Sequence, residues 1–247
     1  METPGQTPRD RVEHAVERAG EVMADKMAEI KPHLRGWLHA ATAPIALAAG
    51  IVLVALSPTA STRVGSAAFA LSALLVFTVS AIYHRGTWSP RTWAFLRRFD
   101  HANIFVLIAG TYSPITLILL EGTHQVVLLS VVWACAIAGV FFRVFWTDAP
   151  RWLYLPLYIG LGWSAVFFVP GFIDGATARL GAGMAIVVLV LVAAGGALYT
   201  FGGVVYGVKR PNPWPRWFGF HEVFHTFTVL AFTAHFVGVS LATFSLR

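Results

Sequence analysis

The chain alternates long apolar runs with short polar breaks. Reading between charged residues gives seven stretches almost free of charge, at about 37–57, 65–84, 102–120, 124–142, 152–171, 181–207 and 222–243. About 20 largely apolar residues are needed to cross the hydrocarbon core of a bilayer as a helix. Each stretch is therefore predicted to be a membrane-spanning α-helix. The breaks fall at Ser57-Pro58, the Arg-rich stretch 85–100, Glu121-Gly122, Asp148-Ala149-Pro150, Asp174-Gly175 and Pro211, Pro213 and Pro215. Proline removes a backbone donor and glycine tolerates sharp turns, so both suit such ends. The loops are too short to hold a soluble domain. The expected fold is all-α, a seven-transmembrane helix bundle.

Ahead of the first span, residues 1–35 carry seven acids and six bases and no apolar core segment. They read as a cytoplasmic tail rather than a signal peptide. Val12, Val16, Ala19, Met23, Met27 and Ile30 recur at three- and four-residue steps, which would suit an amphipathic helix. The membrane domain is expected over 36–247.

Composition agrees with the pattern. Of the 247 residues, 57% are hydrophobic and 12% charged, about half the charge of a soluble domain; mean hydropathy is +0.67. That excludes a soluble enzyme, a disordered chain and a disulfide scaffold. The net charge of +6 would suggest nucleic acid in a soluble protein. Here the basic residues lie between apolar runs and orient the bundle instead. The tail and the 2–3, 4–5 and 6–7 loops collect fifteen Lys and Arg, against three on the other side (Arg63, Arg179 and Arg247). This asymmetry predicts a cytoplasmic N-terminus and an outer C-terminus. Cys135 is alone in an apolar run and forms no internal disulfide.

Ionisable residues at membrane depth are costly, so each one asks for a function. His84 ends span 2, Asp100 precedes span 3, and His221 and His225 open span 7. The predicted topology puts all four at one depth. His221 and His225 are four apart, so their rings project from one helix face a turn apart. Two such imidazoles with a third from His84 match a zinc site that keeps its fourth position open. Asp100 is then an acceptor, outside the ligand set, for a histidine N–H or for the bound water. Ser80, one turn deeper than His84, can donate to a substrate carbonyl or its developing oxyanion. His39 and His101 read as structural or interfacial residues. His235, about 15 Å further along span 7 than His225, is too deep for the same ligand set. It reads as a packing or hydrogen-bonding residue, or as part of a polar path.

His221-Glu222-Val223-Phe224-His225 also spells H-E-x-x-H, in which zinc proteases use the Glu as base. Membrane metalloproteases carry it early and add a later Asp ligand; here no acid follows Glu222. Glu222, about 100° around the helix from His221, reads as a flanking residue still able to take protons. Retinal is excluded, because span 7 holds no lysine for a Schiff base.

Three separated motifs then carry a resemblance. Ser80-Ala81-Ile82-Tyr83-His84 ends span 2. Phe99-Asp100-His101-Ala102-Asn103-Ile104 runs into Ala109-Gly110-Thr111-Tyr112-Ser113-Pro114. His221-Glu222-Val223-Phe224-His225 is followed by Ala234-His235-Phe236. In this order and on these spans they resemble the hemolysin III branch of the progestin and adipoQ receptor (PAQR) family over about residues 31–244. The chain departs from that family near span 1, where Leu34-Arg35-Gly36-Trp37-Leu38-His39 replaces an acidic residue and an Asn before a Thr-His pair.

The resemblance implies a zinc ion near the cytoplasmic end, held by His84, His221 and His225, with Ser80 and Asp100 as polar partners. The wider superfamily, with the alkaline ceramidases, implies zinc-dependent hydrolysis of lipid amides or esters. The expectation is thus a multi-pass protein of the cell membrane, Zn2+ as cofactor, a bilayer lipid as substrate, and neither nucleic acid nor retinal as partner. A non-catalytic alternative remains: a lipid sensor, receptor-like regulator or pore-forming cytolysin in which zinc only clamps spans 2 and 7.

Overall fold

The computed structural model describes residues 32–146 and 148–247, which are helical throughout their long elements and contain no strand. The amphipathic pattern expected in the tail lies outside the described residues. In chain order the helices are α1 (Trp37–Leu56), α2 (Ala60–Arg85), α3 (Pro90–Leu119) and α4 (Gly122–Phe145). They continue as α5 (Arg151–Gly162), a 3-10 segment (Ser164–Phe168), α6 (Val169–Leu180), α7 (Ala182–Val208) and α8 (Phe220–Phe244). Together α5, the 3-10 segment and α6 make one span, so among the described residues seven stretches are long and apolar enough to cross a membrane.

Two expected boundaries move. The third helix starts at Pro90, twelve residues before 102. Ser89 caps it by accepting from the Thr92 N–H at 3.3 Å, and Pro90 occupies the first turn, where its missing donor costs nothing. Charge alone does not stop a helix that extends beyond the hydrocarbon, so Arg97 and Asp100 ride on α3. The predicted break at Asp174-Gly175 is absent; α6 runs on to Leu180 and stops at Gly181, whose φ is 74°.

Within that span the real interruption comes earlier, at Trp163–Phe168. In a bilayer the backbone groups freed there need protein partners. The Tyr112 hydroxyl donates to the Gly162 carbonyl at 2.7 Å and accepts from the Ala165 N–H at 2.9 Å. The Trp163 indole donates to Thr200 Oγ1 at 2.9 Å. One tyrosine from α3 thus rivets both sides of the break.

The helix α3 is the centre of the bundle: 72% of its apolar window is buried, against 17% for α7. Helices of a membrane bundle gain by close backbone approach at small residues. Gly110 of α3 abuts Ser72 and the Ala68 carbonyl of α2, and Gly65 of α2 abuts Pro114 of α3. Large apolar residues such as Ile45, Leu71, Ile186 and Phe201 face outward, where a bilayer would solvate them.

Candidate metal centre and cavity

Three helices bring the polar residues together at one end of the bundle. His84 sits in the last turn of α2, Asp100 on α3, and His221 and His225 in the first two turns of α8. His84 and His225 are buried and His221 is half-buried. One ring nitrogen from each of the three lies within 4.8 Å of the other two. His84 Nε2 and His221 Nε2 are 3.2 Å apart, and Asp100 Oδ2 is 3.9 Å from His84 Nε2.

The donor set fits zinc. Two nitrogens held tetrahedrally at usual zinc–nitrogen distances are separated by about 3.3 Å. The 3.2 Å between the His84 and His221 nitrogens matches that edge. All three donors are imidazoles, the borderline ligands that zinc favours.

Local sequence explains how the end is built. Gly36, with φ of 80°, carries the chain past His84 so closely that a Cβ there would lie 2.8 Å from the His84 Cβ. The Arg35 guanidinium pairs with Glu222 Oε1, while Glu222 Oε2 accepts from the Gly219 N–H at 2.8 Å and caps α8. Backbone bonds from His33 N to Arg216 O (3.0 Å) and Leu34 N to Trp217 O (3.2 Å) fasten the same corner. Glu222 is fully buried and outside the cavity lining, which sets it apart from its two histidine neighbours.

A cavity of about 440 Å³ lies within the bundle, with His39, Ser80, Asp100, His221 and His225 in its wall. Ser80 and Asp100 share its wall. Beyond these groups the lining is mostly apolar, with Val76, Ile104, Ile108, Ile115 and Leu189 among its residues.

Every residue expected at the site from sequence is thus at this end. One was missed. His39, read as structural or interfacial, is 2% exposed and stacks on the His225 ring. His101 also lines the cavity, with its Nδ1 2.7 Å from the Arg97 carbonyl.

Seven candidate membrane helices among the described residues, with a histidine cluster beside an apolar cavity, are those of a multi-pass membrane protein. Comparison narrows it: residues 27–236 match the family described as Haemolysin-III related, and the chain belongs to that family. It is similar to the "Hemolysin-3 homolog" of Bacillus subtilis (strain 168), with 32% identity over 161 residues, 65% of this chain and 68% of that protein. It is also similar to the "Hemolysin-3" of Bacillus cereus, with 29% identity over 171 residues, 69% of this chain and 71% of that protein.

Proposed function

We propose that the chain is a zinc-dependent hydrolase of lipid amides or esters, working at the cytoplasmic end of the bundle. The observation that carries this reading is the convergence of three imidazole nitrogens within 4.8 Å, two of their rings, His221 and His225, lining an apolar cavity together with Ser80 and Asp100. His84, His221 and His225 would hold the ion. When bound, zinc acts as a Lewis acid and brings the pKa of a water toward ~7.

The remaining chemistry falls to side chains. The Ser80 hydroxyl donates to the substrate's carbonyl oxygen and stabilises the charge that develops there. Asp100 steadies His84 and takes or returns a proton beside the scissile bond. The apolar wall receives the acyl chain and keeps bulk water from the reacting carbonyl. Glu222, held by Arg35 and by the Gly219 N–H, has no part in the reaction.

The first test is metal content of detergent-purified protein by elemental mass spectrometry, wild type beside His84→Ala. About one zinc per chain in wild type and little in the variant is expected. Lipid amides and esters are then screened for turnover that Ser80→Ala abolishes while zinc is retained. A metal-free wild type, purified without chelators, sinks the reading.

The word hemolysin in both relatives' names supports a second reading, a membrane-permeabilising or regulatory protein whose zinc only ties α2 to α8. It expects dye leakage from liposomes that Ser80→Ala leaves unchanged, with no lipid turnover.

A further inference from the structure

The cavity has a second polar pole that the proposed hydrolysis does not use. His235 on α8 and Tyr199 on α7 line the same cavity as the histidine cluster. Their rings stack with centroids 5.7 Å apart and planes 21° from parallel. His235 is 6% exposed. Its Nδ1 and the Tyr199 hydroxyl are both buried, and neither has a hydrogen-bond partner among the described residues.

The arrangement has a space made for it. A Cβ on Gly195 would lie 2.5 Å from His235 Nε2, so a larger residue on α7 would have to push the imidazole from this position. His235 stands ten residues beyond His225 on α8, about 15 Å along the helix axis. The wall between them offers little competition. The Thr228 hydroxyl is spent on the Phe224 carbonyl at 3.0 Å, and that of Thr200 on the Gly196 carbonyl at 2.9 Å.

Two unsatisfied polar groups deep in a bundle destabilise it unless something satisfies them. Phenol and imidazole can each donate or accept. A single hydroxyl answers both, accepting from one and donating to the other. A carboxylate or ammonium at this depth would carry a far larger desolvation cost.

We propose that the cavity selects an oxygenated lipid, its carbonyl head at the histidine cluster and a hydroxyl further down its chain between Tyr199 and His235. This rests on the reading of the cavity as an acyl-chain site and adds the substrate class.

Oleate and ricinoleate, which differ by one mid-chain hydroxyl, are the probes. Each displaces a fluorescent fatty acid from the full chain in lipid nanodiscs, with zinc content measured alongside. Ricinoleate is expected to bind roughly three- to tenfold tighter than oleate, the worth of a net hydrogen bond. Tyr199→Phe, which removes one oxygen and keeps the ring, and His235→Leu should each bring that ratio close to one without changing zinc content. Equal affinities in wild type, or a preference that survives both variants, overturns the inference and leaves the lipid-hydrolase reading standing. If neither fatty acid displaces the probe, both fall together.

Discussion

The rings of His39 and His225 stack face to face, with centroids 3.9 Å apart and planes 18° from parallel. His39 comes from the first span and His225 from the last, and Phe77 of α2 meets the His39 ring edge-on at 5.1 Å. A residue from outside the ligand cluster therefore sets the plane of a candidate ligand ring. His39→Ala should leave a gap beside His225 and weaken zinc binding roughly tenfold, the lower end of what lost outer-layer support costs a metal site. His39→Phe, which restores a flat ring, should recover most of it. Competition against a chelating dye measures both.

Arg35 and Glu222 form an ion pair in which the carboxylate side chain is 1% exposed. Removing only the cation strands a buried charge, which costs about 3–5 kcal/mol. Arg35→Met is thus expected to lower the thermal midpoint markedly. The double variant Arg35→Met with Glu222→Gln should regain much of the loss, because the amide oxygen still accepts from the Gly219 N–H. Equal midpoints for single and double variants would show the pair to be unimportant.

Gly36 can be tested through its backbone. At φ of 80°, with the His84 Cβ 2.8 Å from where its own would be, alanine meets both strain and a clash. The left-handed conformation alone costs an L-residue about 1–2 kcal/mol. Gly36→Ala should lower stability by at least that much and reduce zinc content as His84 is displaced. An unchanged midpoint and full zinc content would contradict this account of the corner.

Gly175 was expected to mark a break, yet it lies inside α6 and brings that helix against the Leu119 carbonyl at the end of α3. An added methyl group there overlaps backbone, which cannot move aside like a flexible side chain. Gly175→Ala should cost about 1–3 kcal/mol, as overpacking does. Thermal unfolding in detergent is the check, with Gly183→Ala, which meets nothing within 4 Å, as control.

Chelation offers a test of the cluster as a unit. Stripping zinc from wild type should lower its thermal midpoint, since a ligand that binds only the folded state stabilises it by mass action. In His84→Ala the same treatment should have little effect. A midpoint indifferent to chelator in wild type removes the metal from the account.

Much of this architecture was legible in sequence because a bilayer is a severe filter. A charged or imidazole residue in an apolar run stands out, and so His84, Asp100, His221 and His225 could be gathered from topology alone. The i, i+4 spacing of the last two carried their common face. Features that depend on an unseen neighbour were hidden. His39 stands against a ring 186 positions later, and nothing near it in sequence points there. Tyr199 is one aromatic among many until His235 and an empty space are beside it. Asp174-Gly175 failed as a stop because glycine serves close packing as readily as it ends helices, and the letters are the same. The start of α3 was missed because a well-capped helix carries its charges past the apolar limit.

The distribution of the cluster along the chain also orders its biogenesis. His84 precedes its 3.2 Å neighbour His221 by 137 residues, and the corner around them is fastened by Leu34 to Trp217. Six of the seven spans emerge from the ribosome before the set of three imidazoles is complete. A nascent chain halted before α8 offers a metal one histidine of the three. Any truncation that removes the last span therefore removes two of the three donors, however well the first six insert.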